Sequence, residues 1–130
     1  QGHPHALALL GAGHAPEVKI QSAQIRPARL TLGQHLELAF VLQSTAPASN
    51  PPQRLVVDYA VHYARPSGTP SRKVFKLKTI NLAAGASVTL TRRQLIKPYT
   101  TRTHHAGWHE VELLVNGQAL AREGFELILP

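Results

Sequence analysis

From Glu17 onward, apolar and polar residues alternate with a period of two, the repeat of a strand whose successive side chains point to opposite faces. The run "EVKIQSAQI" places Val18 and Ile20 on one side and is ended by Pro27. In "QHLELAFVLQST", Leu36, Leu38, Phe40 and Leu42 alternate with Glu37, Ala39, Val41 and Gln43, which predicts a strand buried on one face. The loop "APASNPPQ" interrupts the pattern, and "RLVVDYAVHYA" resumes it with Leu55, Val57, Tyr59, Val61 and Tyr63 opposite Asp58 and His62. After the turn-forming "RPSGTPS", "RKVFKLKTINL" sets Phe75 and Leu77 against Val74, Lys76 and Lys78, so the lysines are expected to share one side. "AAGA" then leads into "SVTLTRR", whose inward candidates are Val88 and Leu90. The last pattern, "WHEVELLVNGQALAREGFELIL", reads as two strands joined by Asn116-Gly117, the pair that best tolerates the positive φ angles of a two-residue hairpin turn.

Seven strand-like segments with frequent turns and no intervening helix predict an all-β domain, an immunoglobulin-like antiparallel β-sandwich of about seven strands. A partly open barrel is the alternative. Between the sixth and seventh segments lies "KPYTTRTHHAGWHE", Lys97 to Glu110, rich in turn formers and without alternation until Gly107. It reads as a long connection, with Tyr99 and Trp108 expected to anchor a corner. At the front, "ALALL" followed by Gly11 and Gly13 reads as the last turns of a short helix. The expected division is therefore residues 1–15 as the end of a preceding helical domain or a linker, and residues 16–130 as the sandwich.

Composition narrows the chemistry. Without Cys there is no disulfide, no thiol nucleophile and no cysteine-based metal knuckle, so burial must hold the domain together. No apolar run is long enough to cross a bilayer, and residues 1–20 lack the pattern of a signal peptide, which leads to the expectation of a cytoplasmic protein. Met is absent and "QGHPHALALLG" is not a translational start, so the chain is expected to be part of something longer.

The formal charge of +7 favours polyanionic partners, and its distribution is more informative than its size. No acid lies between Asp58 and Glu110, a stretch that holds nine Lys and Arg residues. Within it Lys73, Lys76, Lys78, Arg92, Arg93, Lys97 and Arg102 are the candidate phosphate contacts. Tyr99, Trp108 and His104 are flat side chains on which a base would stack, although a core or corner role suits Trp108 better. Metal binding would draw on His62, His104, His105 and His109, but their spacing matches no standard site, and no cofactor is expected. A serine triad of Ser67 or Ser87 with His62 and Asp58 lacks the strained turn and oxyanion glycines of such sites. Glu110 and Glu112, two apart on one strand, are expected to face solvent together, and Asp58 to be a structural acid.

The segments "RLVVDYAVHYA", "KVFKLKT", "KPYTTRTHHAGWHEVELLVNG" and "GHPHALALLG" resemble the C-terminal region of bacterial DNA alkylation repair proteins, the HEAT-repeat alkylpurine glycosylase-like family. The resemblance covers nearly the whole chain. It implies that a helical HEAT-like domain precedes a β-domain, and that removal of alkylated purines belongs to the helical part. None of that site's residues maps onto this sequence. The expectation is thus a non-catalytic accessory domain whose partners are DNA, bound without sequence preference, and the helical domain of the same parent chain. The alternative is a protein-interaction or domain-docking module that does not touch nucleic acid.

Overall fold

The computed structural model describes residues 15–65, 71–96 and 105–130. The expected helical remnant falls outside these residues. Among them are eight strands: β1 (Val18–Arg26), β2 (Arg29–Thr31), β3 (His35–Ser44), β4 (Gln53–Tyr63), β5 (Ser71–Leu82), β6 (Ser87–Leu95), β7 (Gly107–Val115) and β8 (Gln118–Ile128). They form two sheets, one of three strands in the order β1-β3-β6 and one of five in the order β2-β8-β7-β4-β5.

This is the expected immunoglobulin-like sandwich of about seven strands, with one short strand, β2, that the sequence pattern does not show. β2 pairs in parallel with β8, Arg29 to Thr31 against Glu126 to Ile128. Three residues are too few for alternation to register, yet Leu30 in their middle is fully buried. The chain thus crosses from the small sheet to the large one immediately after β1.

Between the sheets lies a core built from the alternating residues of the pattern. Leu36, Leu38, Phe40 and Leu42 face Leu55, Val57, Tyr59 and Val61, with Val111, Leu113, Phe125 and Leu127 completing the layer. Each such side chain contributes about 1.5–3 kcal/mol by leaving water. A bulge in β1 between Ile20 and Ser22 moves the inward set from Val18 and Ile20 to Ala23 and Ile25. The β7–β8 turn forms at Asn116-Gly117, both at positive φ (50° and 82°). Asn116 also docks on β4: its backbone N–H donates to Val56 O at 2.8 Å, and its Oδ1 accepts from Val56 N at 2.8 Å.

Candidate nucleic-acid interface

β5 and β6 follow each other in the chain but belong to different sheets, and each is the outermost strand of its sheet. They run along the same long side of the sandwich, joined there by a hydrogen bond from Arg92 Nη2 to Leu77 O at 2.9 Å. Residues 71–96 carry Arg72, Lys73, Lys76, Lys78, Arg92 and Arg93 and no acid. Among the described residues, these six cations therefore lie on two outer strands along one side of the sandwich rather than on one face of a sheet.

The cations do not all point alike, and the expected single stripe of lysines does not form. A bulge between Val57 and Asp58 sets Lys76 opposite Asp58 and Lys78 opposite the buried Val57. Lys73 instead shares the side of Phe75, with Nζ 5.1 Å from the ring centre. Phe75 in turn stacks on Tyr59 at 5.1 Å. Arg92 is registered against the buried Leu38 and so leans toward the gap between the sheets. Beside it, the Tyr59 hydroxyl donates to Gln94 Oε1 and ties the two sheets together. Burial raises the Tyr59 pKa, against the opposing charge of Arg92, so the hydroxyl keeps its proton.

Three of the six cations have acids beside them. Arg93 lies 3.9 Å from Glu37, Arg72 lies 3.3 Å from Glu112, and Lys76 acts electrostatically on Asp58, whose pKa burial raises and Lys76 lowers, with a net rise. Among the described residues no ion pair involves Lys73, Lys78 or Arg92. Lys97 and Arg102, like Tyr99 and His104, lie outside the described residues. Arg26 carries no signal in the sequence pattern. It stands in register with Glu37, which faces Arg93 on the other side, and with Gln24, Ala39 and Thr91 these line a recess of about 490 Å³ on the outer face of the small sheet. Only strand register brings Arg26 to this place.

Two further expectations are corrected on the large sheet. Glu112 does not face open solvent: it is 7% exposed on the outer surface, roofed by cations. His62 Nε2 lies 3.2 Å from its Oε1, Arg72 Nη2 3.3 Å from the same oxygen, and Arg122 Nη2 3.4 Å from Oε2. Burial alone would raise the Glu112 pKa, but the His62 hydrogen bond and the charges of Arg122 and Arg72 together hold it below the ordinary value.

Trp108 anchors no corner. It is 62% exposed, and its neighbour His109 takes the buried position, at 1%. Parity explains this: Trp108 alternates in phase with Glu110 and Glu112, whereas His109 is in phase with Val111, Leu113 and Val115. The His109 ring packs 5.2 Å from Phe125 and edge-on to Tyr63 at 5.8 Å, and Nδ1 donates to Gly107 O at 3.1 Å. His62 and His109 thus occupy opposite sides of the large sheet and do not converge.

The indole of Trp108 lies over Gly124. A Cβ built there would come within 1.8 Å of the ring. Gly124→Val is expected to lift the ring from this seat. The variant should lose the near-ultraviolet circular dichroism of the sole Trp while stability changes by less than about 1 kcal/mol.

This three-plus-five sandwich, with β5 and β6 as neighbouring outer strands and the β7–β8 hairpin inside the large sheet, is an immunoglobulin-like domain. The chain belongs to the family of the YhaZ C-terminal Ig-like domain, whose profile matches residues 19–129. It is 30% identical over 118 residues to the uncharacterized protein YhaZ of Bacillus subtilis, covering 91% of this chain and 32% of that protein. Among solved structures it is similar to the alkylpurine DNA glycosylase AlkC of Pseudomonas fluorescens bound to DNA containing an abasic site analog. The two are 48% identical with a TM-score of 0.87, covering 98% of this chain and 35% of AlkC. A β-glucosidase of Erythrobacter marinus shares the fold alone, at 13% identity and a TM-score of 0.73, over 90% of this chain and 16% of that one. The chain spans about a third of the length of YhaZ and AlkC.

Proposed function

We propose that this domain is a non-catalytic accessory part of a DNA alkylation repair protein and that it holds DNA, without reading its sequence, along the β5–β6 side. The observation that carries the reading is the concentration of six cations and no acid on two outer strands that border one another. Lys73, Lys78 and Arg92 are the principal contacts, with Lys76 and Arg93 partly offset by neighbouring acids. Lys97 and Arg102, from the same acid-free block of sequence, are the further candidate contacts. The similarity to a glycosylase solved with DNA supports the choice of polyanion.

The placement of reactive groups supports an accessory role. Asp58 and His62 are four residues apart along β4, about 13 Å, and Ser87 stands in the other sheet. Among the described residues, Glu110 and Glu112 are engaged by arginines.

Salt dependence tests the proposal. Binding to duplex, abasic-site and single-stranded oligonucleotides should weaken steeply between two salt concentrations, and Lys73→Ala with Lys78→Ala should reduce the log–log slope by about 2. Arg92 is left intact in that variant because it also bridges the sheets. Absence of binding at low salt, or an unchanged slope in the double variant, would overturn the assignment.

A further inference from the structure

The outer face of the large sheet differs in character from the β5–β6 side. Trp108 on its Gly124 seat is bracketed by two arginine–glutamate pairs. Arg29 Nε lies 3.1 Å from Glu126 Oε1 on one side, and Arg122 Nη1 lies 3.3 Å from Glu110 Oε1 on the other. Cross-strand register holds this group together: Trp108 faces Glu126, and Glu126 faces Arg29, while Glu110 faces Gly124. In a chain of charge +7 this patch is neutral, so it offers phosphates no net attraction.

A glycine inside a strand gives up packing and conformational entropy, and here it gives them up to seat an indole that is 62% exposed. Trp and Arg are the residues that dominate binding between polypeptides, above all where an aromatic is ringed by polar groups. We propose that the bracketed Trp108 is a docking surface for the N-terminal part of the longer polypeptide in which this domain occurs. The inference rests on family membership and is independent of the DNA reading.

Family membership selects that occupant, and tethering and reach permit it. The family is named for a C-terminal domain, and the matched part is only 32% of YhaZ, so most of that polypeptide lies on the N-terminal side. A tethered neighbour acts at an effective concentration in the millimolar range, so a polar patch of the size usual between domains is sufficient. Reach also permits it. The chain joins β1 at the opposite end of the sandwich, where Glu17 N donates to Gln53 Oε1 at 2.8 Å and Thr45 N to Glu17 O at 2.7 Å. Trp108 lies about 24 Å along β7 from that end. The roughly 250 residues of YhaZ outside the match would fold to a body about 45 Å across, which spans the distance. The docking partner must offer an apolar cleft for the indole and groups of both charges around it.

Hydroxyl-radical footprinting of the full-length polypeptide, without DNA, tests this. Trp108 should oxidise at least about fivefold more slowly in the folded protein than in the same chain under denaturant, as expected of an indole inside an interface. An indole left as exposed as it is here would be slowed by less than about twofold, and that result would overturn the docking surface. Protection that appears only when DNA is added, or that fades on dilution as contact with a second copy would, also overturns it. As a second measurement, Trp108→Glu should enlarge the full-length protein in solution scattering while its circular dichroism is retained, and Trp108→Phe should restore compactness. The salt slope of DNA binding should be the same in both variants, so failure of the docking surface and failure of the DNA reading are separately visible.

Discussion

Tyr59→Ala is expected to destabilise the domain by about 3–5 kcal/mol, measured by equilibrium denaturation, the largest effect of any change considered. Tyr59 is 2% exposed at the centre of β4 and is among the largest fully buried side chains. Its ring supports Phe75, which in turn carries Lys73, and its hydroxyl reaches across the core to Gln94 on β6. Truncation therefore leaves a cavity and also unties the side of the sandwich where the two outer strands meet. Tyr59→Phe separates these contributions: it keeps the ring but leaves Gln94 Oε1 without its donor, at a cost of about 1 kcal/mol. If Phe proved as costly as Ala, the hydroxyl bridge rather than the ring would be the main link between the sheets.

Glu112→Ala is expected to cost about 2 kcal/mol at neutral pH, between the value for an exposed ion pair and that for a buried one. Its carboxylate is nearly covered, but Arg72 and Arg122 are about half exposed and regain water when it is removed. The contribution has a definite pH window. Because the folded carboxyl is held below its ordinary value, its stabilisation is complete above the unfolded glutamate range and disappears as pH falls through the folded value. Asp58 works the other way: its value is raised, so its ionisation disfavours the folded state and acid relieves it. Comparing wild type with Glu112→Gln at about pH 7 and about pH 3 cancels the Asp58 contribution. The stability gap should be present at the higher pH and narrower at the lower. A gap that stays constant would mean that packing, and not the charge of Glu112, supplies the stabilisation.

Much of the fold was legible because burial on one face imposes period two on the sequence. Leu36 to Leu42 and Leu55 to Tyr63 showed their inward sets directly, and Asn116-Gly117 marked its turn through a backbone requirement few dipeptides meet. β2 was not legible, since three residues hold too little pattern and its partner lies 97 residues away. The site was only half legible. The acid-free block identified β5 and β6 as basic, but a bulge at Asp58 broke the lysine alternation, and such an irregularity leaves no mark in composition. Alternation predicts solvent for Glu112 because a carboxylate on an outward position normally faces water. Its burial depends on His62, Arg72 and Arg122, which come from three separate regions of the chain. Trp108 was within reach of sequence reasoning: its phase with Glu110 and Glu112 placed it outside, but its size argued for the core.

The pairing of β2 with β8 has a consequence for the order in which the domain is made. The small sheet uses only β1, β3 and β6, so it is complete in principle once residue 95 has been synthesised. The large sheet cannot assemble then, because β7 and β8 stand between β4 and β2 and are the last strands to emerge from the ribosome. Until they arrive, the edge of β4 that β7 will pair is open, with only β5 on the other side. Such a nascent intermediate is open to misassociation, and the charged β5 beside it, with Arg72, Lys73, Lys76 and Lys78, is the kind of outer strand that discourages pairing with another chain. The cations proposed to meet DNA in the finished protein would thus first protect the unfinished one.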